Sequence, residues 1–116
     1  MKDNKLLAEY LELELNHEIF YVGSAVIINN KYVLWEPNSD WNQLMMVVEK
    51  IEEENKTKAF VIENDSAYIW YYTIEETEFE DEEGFYDAID GDGKTKIEAV
   101  YNACVDYIRV IRNRDN

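Results

Sequence analysis

The stretch TKIEAVYNACVDYIRVIRN, residues 95–113, constrains the fold most, because its apolar residues repeat with the period of an α-helix. The repeating positions form a single apolar stripe: Ile97, Val100, Tyr101, Cys104, Val105, Ile108 and Ile111. Thr95 and Glu98 have the T-x-x-E spacing of a capping box at the helix start. Arg109 and Arg112 lie near the C-terminal end, where the helix dipole favours cations. The stretch therefore predicts a helix that buries one face.

Two further helices are predicted upstream. Residues 3–15 have leucines at near-helical spacing, and Asp3 or Asn4 can cap this segment. A second helix follows Pro37 and is capped by Ser39 or Asp40. Its expected buried stripe contains the following side chains: Trp41, Leu44, Met45, Val48 and Ile51.

Two β-hairpins are predicted between the helices. Residues 19–35 contain two runs rich in β-branched and aromatic residues, joined by Asn29 and Asn30, which tolerate the positive φ of a type I′ turn. Gly23 inside the first run indicates a bulge. The second hairpin pairs residues 58–63 with residues 67–73. The latter run is apolar on both faces, which is typical of a central, covered strand.

The expected fold class is α+β, in the order α-β-β-α-β-β-α. We predict a single domain over residues 1–116, built as an α-β-α sandwich around a mainly antiparallel four-stranded sheet. Residues 74–94 are expected to form an acidic connector before the last helix. Nearly half of the residues are hydrophobic (47%), enough for a core without disulfide or metal.

The net charge of −15 excludes several classes of partner. A surface this acidic repels DNA, RNA and anionic lipid, so neither direct nucleic-acid binding nor a membrane partner is expected. No apolar run approaches the length of a membrane span. The single cysteine, Cys104, suits a reducing compartment, and the N-terminal residues lack a signal-peptide pattern, so we expect a cytoplasmic protein.

Three stretches together resemble the phage ABA sandwich domain family, a group of small phage and prophage proteins. They are LLAEYLELE near the start, WEPNSDWNQLMMVVEKIEE at residues 35–53 and KIEAVYNACVDYIR at residues 96–109. The family's D-W-x-x-L-M-x-V-V-E-K-I and K-I-E-A-V-Y-x-A-x-V-x-Y-I helices match residues 40–51 and 96–108 closely, with Met46 replacing a proline. The resemblance implies an α-β-α layered fold and a phage or prophage origin, in the host cytoplasm. It implies no reaction and no catalytic residues.

The chemical motifs point away from catalysis. The stretch DAIDGDGK fails as an EF-hand, because neither glycine frame places a glutamate at position twelve. A looser divalent-cation site at Asp87, Asp90 and Asp92 remains as a weak candidate. Cys104 lies on an apolar stripe, and His17 is the only histidine, at a helix-to-strand junction. No cofactor motif is present, so we predict no cofactor and no enzymatic activity.

The acidic segment 74–94 is the candidate binding surface. Its acids supply −10 of the net charge of −15, and Phe79, Phe85 and Tyr86 interrupt them. The candidate contact residues are Glu75, Glu76, Glu78, Glu80, Asp81, Glu82, Glu83, Asp87, Asp90 and Asp92. The segment either only keeps the protein soluble or binds a basic protein partner. One alternative is a nucleic-acid mimic that inhibits a host defence or transcription protein; another is a metal-binding domain or metal-dependent enzyme. An exposed aromatic sheet edge could also pair two copies as a homodimer.

Overall fold

The computed structural model describes residues 2–21, 23–55, 60–63, 66–75 and 83–114. Its elements follow in the order α1 (Lys2–Tyr10), β1 (Asn16–Phe20), β2 (Gly23–Ile28), β3 (Lys31–Leu34), α2 (Trp41–Asn55), β4 (Phe60–Glu63), β5 (Ser66–Glu75), β6 (Glu83–Asp92) and α3 (Lys96–Arg114). The predicted α+β class, with antiparallel strands between three helices, is confirmed. The structure refines the strand count, since each predicted hairpin has a third strand. The described strands form two three-stranded sheets, β1-β2-β3 and β4-β5-β6, rather than one sheet of four.

Helix α1 ends earlier than its leucine spacing predicts. The backbone amide of Leu13 donates to the carbonyl of Ala8 at 2.8 Å, and that of Glu12 donates to Glu9 at 3.0 Å. Glu12 has a φ of 60°. This is a Schellman ending, in which a left-handed residue closes the last turn, and it is formed here without the usual glycine. The residues of the predicted helix beyond Tyr10 therefore leave the helix and lead into β1.

The first sheet contains the predicted turn. Asn29 and Asn30 have φ values of 52° and 64°, as a type I′ turn requires, and they join Ile28 to Lys31 in register. The run predicted as one strand over residues 19–28 is divided into β1 and β2. The pairing register shifts between Asn16 and Phe20, next to the bulge predicted at Gly23.

Helix α2 is capped as predicted, but part of its buried stripe is different. The Oδ1 atom of Asp40 accepts hydrogen bonds from the amides of Asn42 and Gln43, at 2.9 and 3.2 Å. The buried stripe consists of Leu44, Val47, Val48 and Ile51. The prediction was wrong for Trp41 and Met45, which are 41% and 36% exposed. Their spacing also fits a helical stripe, so periodicity alone cannot tell which side faces the core.

A buried glutamine joins α2 to the end of β3. The side-chain Nε2 of Gln43 donates to the Leu34 carbonyl, and its Oε1 accepts from the Glu36 amide, both at 2.7 Å. Gln43 is only 4% exposed, and both ends of its amide are satisfied. This residue fixes the direction in which the chain leaves the first sheet.

Strand β6 is the element that the sequence did not predict. Residues 83–92, taken as part of the acidic connector, pair in register with β5 from Ser66↔Asp92 to Glu75↔Glu83. Strand β5 is the central strand of its sheet, as its apolar character predicted. The turn predicted at residues 64–66 lies mostly outside the described residues, as do residues 76–82.

Strand β6 packs against α3 with its backbone. A Cβ atom on Gly91 would lie 2.4 Å from both the Ala99 carbonyl oxygen and the Ala103 amide nitrogen. These two atoms belong to successive turns of α3, so the strand lies directly on the helix backbone. Ala99 and Ala103 are fully buried, and their small side chains leave room for this approach. Only glycine fits at residue 91.

Helix α3 is the centre of the core. Its Ala99 and Ala103 meet β6, whereas Tyr101, on the opposite face by helical periodicity, and Arg109, on a flanking side, bond to α1. The buried side chains form one cluster to which α1, α2, α3 and the first sheet all contribute. Its largest fully buried members are Leu7, Val26, Leu44, Val47, Val48, Ile51, Val100, Cys104 and Ile108. Helix α3 also contacts all three strands of the second sheet, so it joins that sheet to the cluster.

None of the described helices is long and apolar enough to cross a membrane.

Replacement of Gly91 by alanine tests the strand–helix contact. We expect Gly91→Ala to lower the free energy of unfolding by about 3 kcal/mol, because the added methyl group must displace backbone atoms. Gly23→Ala is the matched control. Its Cβ would meet only the flexible end of Leu34, at 3.0 Å, so a change within about 1 kcal/mol is expected. Urea unfolding followed by circular dichroism measures both, and equal effects would contradict the proposed contact.

Candidate functional site

Five of the ten predicted acidic contact residues lie in strands that the structure describes. Glu75 ends β5, and Glu83, Asp87, Asp90 and Asp92 lie in β6. The other five lie outside the described residues: Glu76, Glu78, Glu80, Asp81 and Glu82. The segment is therefore largely part of a hairpin rather than a free connector, and the acids of β6 are spread along the whole strand.

The hairpin register pairs two of these acidic positions. Glu75 and Glu83 are directly opposite each other where β5 and β6 meet residues 76–82. Like charges at opposite positions of an antiparallel pair repel. At the other end of β6, Asp90 and Asp92 are exposed and pair with Tyr68 and Ser66 in register. The acidic positions at Glu83 and at Asp92, at the two ends of β6, thus lie about 30 Å apart along the strand.

The geometry of the described residues gives no support to a metal site at Asp87, Asp90 and Asp92. Within the described residues, no group of three His, Cys, Asp or Glu side chains could hold a metal ion. Asp92 also uses its backbone carbonyl to accept a hydrogen bond from Asn102 Nδ2 at 2.7 Å, which ties the end of β6 to α3. The proposed role of Asp87, Asp90 and Asp92 as cation ligands therefore stays a prediction without structural support.

A polar cleft of about 500 Å³ lies between α1 and the first sheet. Ser24 Oγ and His17 Nδ1 form a hydrogen bond of 2.6 Å at its edge, and Lys5 and Glu36 also line it. A serine–histidine pair becomes a nucleophile and base when a third group orients the ring. No carboxylate bonds to His17 in the part of the chain that the structure describes. Ser24 and His17 are thus the residue types of a hydrolytic dyad, but no described carboxylate orients the histidine ring.

Asn4 connects this cleft to the core. Its backbone carbonyl accepts a hydrogen bond from Trp35 Nε1 at 2.6 Å, and its side-chain amide donates to Asn38 at 2.9 Å. Its Oδ1 accepts from the Tyr101 hydroxyl at 2.7 Å. One residue of α1 therefore holds the end of the first sheet and α3. Because these partners are 31 to 97 residues away in sequence, no local pattern could have shown this role.

Burial raises the pKa values of three side chains. Burial raises the pKa of the Cys104 thiol, and burial together with a hydrogen bond to Glu54 raises that of Tyr10. Burial raises the pKa of Tyr101 to about 12. Reactive cysteines have lowered pKa values, so Cys104 is a core residue, as its place on the apolar stripe predicted.

The cations at the helix ends bond within the chain. Arg109 Nη2 lies 2.6 Å from Asp3 Oδ1, and Arg112 Nη1 lies 3.2 Å from Glu9 Oε2. Lys5 lies 4.0 Å from the other oxygen of Glu9. The two arginine contacts hold α1 against α3, and they leave the acids of α2 and β6 without those cations.

No family model, no curated protein and no solved structure matches this chain. The resemblance to the phage ABA sandwich domain family therefore stays a prediction made from the residues of α1, α2 and α3.

The raised pKa values predict a loss of stability at alkaline pH. Below the ordinary Cys pKa of about 8.5 the thiol of Cys104 is mainly protonated in both states, and its contribution is present. Above that pH the unfolded chain releases the proton while the folded chain keeps it, so stability falls by about 1.4 kcal/mol per pH unit for this group. We expect urea unfolding of Cys104→Val to show a shallower decline between about pH 9 and pH 10 than that of the wild type. Parallel declines would contradict burial of the thiol.

Proposed function

We propose that the protein acts by binding a basic protein partner through its acidic surface and does not catalyse a reaction. The observation that carries the proposal is the juxtaposition of Glu75 and Glu83 at one end of the β5–β6 hairpin. A cation from a partner would relieve the repulsion between these like charges and gain favourable contacts with both.

The distribution of cations supports the same proposal. Arg109 and Arg112 are paired with acids of α1, so they do not neutralise the hairpin. The excess of 26 acidic over 11 basic residues is therefore concentrated elsewhere on the surface. Such a field attracts positively charged partners over distances of about 10 Å at moderate salt.

The proposal includes a phage or prophage origin, which the family resemblance implies. The mimic alternative has the same electrostatic basis, because a surface that binds basic proteins can also occupy a nucleic-acid channel. It makes one distinct prediction: added duplex DNA would displace the partner.

A charge-matched pair of variants tests the binding surface. The segment variant replaces four acids with their amides: Glu78→Gln, Glu80→Gln, Glu82→Gln and Glu83→Gln. The control variant removes the same charge from exposed positions elsewhere: Glu12→Gln, Glu14→Gln, Glu18→Gln and Asp106→Asn. We expect wild type and control to retain the same basic proteins from a bacterial lysate at about 50 mM salt, and to lose them at about 500 mM. The segment variant should lose them at both.

Two outcomes would contradict the proposal. Retention of the same proteins by the segment variant would show that these acids are not the contact surface. Equal losses from both variants would show that net charge alone, rather than a defined surface, determines what is retained. Partners that duplex DNA releases would favour the mimic alternative.

A further inference from the structure

A second acidic surface lies between α1 and α2, away from the β5–β6 hairpin. It is an open groove of about 570 Å³, which we call the α1–α2 groove. Its lining residues are Leu11, Met46, Glu49, Lys50, Glu53 and Glu54.

The groove has an apolar floor between acidic walls. Five of its six lining residues lie on α2 at spacings of three and four, so they share one face of that helix. That face is not the one that carries Leu44 and Ile51 into the core. The side chains of Leu11 and Met46 are partly exposed at the floor. An apolar ligand group would therefore bury surface here without a change in the fold.

Among the described residues one cation, Lys50, lines the groove, and it already has partners. Lys50 Nζ donates a hydrogen bond to the backbone carbonyl of Tyr10, and it lies 4.6 Å from the centre of the Tyr10 ring. The Tyr10 hydroxyl in turn donates to Glu54 Oε2 at 2.5 Å. These contacts close the α1–α2 corner and occupy both Lys50 and Glu54.

Two carboxylates are left to face a ligand. Glu49 and Glu53 are exposed, stand one turn apart, and have no hydrogen bond or ion pair with any described residue. They lie in the C-terminal half of α2, where the helix dipole adds negative potential. The groove thus combines an apolar floor with uncompensated negative charge along one side.

We propose that the α1–α2 groove binds a basic amphipathic peptide segment of a partner protein. An apolar side chain of the segment lies between Leu11 and Met46, and flanking lysine or arginine side chains pair with Glu49 and Glu53. Charge complementarity selects this occupant, because a second copy of this chain would bring another −15 to an acidic groove. The inference rests on the proposed function for the charge of the partner, but it names a different contact surface.

The methionines provide a direct readout. Met46 lies in the groove, whereas its neighbour Met45 lies on another face of α2 and Met1 is the only other methionine. The protein is labelled with ¹³C at the methionine methyl groups and titrated with a synthetic amphipathic peptide of leucine and lysine. We expect the Met46 methyl resonance to shift and saturate, while those of Met45 and Met1 stay in place. Binding should weaken as the salt concentration rises from about 50 to about 500 mM.

A pair of double variants tests the charges. Glu49→Gln with Glu53→Gln should weaken peptide binding by about fivefold or more, since it removes both ion pairs. Glu14→Gln with Glu18→Gln removes the same charge from exposed sites outside the groove and should leave binding within about twofold. Equal weakening by both double variants, or equal shifts of all three methyl groups, would overturn the proposal. A Met46 shift that depends on protein concentration without peptide would assign the groove to a second copy instead, and would also overturn it.

The same titration separates this inference from the proposed function. If Met46 does not respond but the acidic-segment variant loses its lysate partners, the groove proposal fails and the proposed function stands. If Met46 responds but that variant keeps its partners, the groove stands and the hairpin is not the contact surface.

Discussion

The contact between Gly91 and the backbone of α3 determines how the two parts of this fold are joined. Strand β6 meets the helix at a glycine, and the helix presents two alanines to it. The separation leaves no space for a Cβ atom, so the second sheet has a single position along the helix in which it fits. Because β6 pairs with β5 over its full length, this contact and the Asn102–Asp92 hydrogen bond also position the acidic end of the hairpin.

The opposite face of α3 attaches the remainder of the chain by polar contacts. Tyr101 reaches Asn4 of α1, and Asn4 in turn holds Trp35 and Asn38 at the end of the first sheet. Arg109 pairs with Asp3 on the surface next to this network. The folded chain presents uncompensated negative charge because 26 acidic residues exceed 11 basic ones, and two of its arginines are already paired with acids of α1.

The helices and the first hairpin turn could be predicted because their signals are local. Asp40 and Thr95 cap their helices through bonds to residues two or three positions away, and Asn29 and Asn30 carry the positive φ of their turn. Strand β6 could not be predicted, because its sequence EGFYDAIDGD is rich in residues that are depleted in strands. Its pairing with β5 and its contact with α3 are long-range, and they override this local preference.

For the candidate sites, too, the local feature could be predicted from the sequence and the long-range geometry could not. Charge density alone predicted the acidic segment, but the opposition of Glu75 and Glu83 is a property of register. The α1–α2 groove had no sequence signal, because Lys50 and Glu54 lie 40 and 44 residues from Tyr10, which they contact. Helix α2 continues to Asn55 with Glu52, Glu53 and Glu54 in its last turn, and Tyr10 bonds to Glu54. Long-range bonds of this kind offset the unfavourable position of the acids at the end of the helix.

The salt dependence of stability tests the central claim most directly, namely that the folded chain carries more surface carboxylates than its own cations compensate. The free energy of unfolding is measured by urea titration at sodium chloride concentrations from about 20 mM to about 500 mM. We expect stability to rise steadily with salt, because the ions screen the repulsion among carboxylates that the fold brings together. A stability that falls with salt would contradict it, since the acids would then be held by ion pairs of this chain and would not be free for a partner.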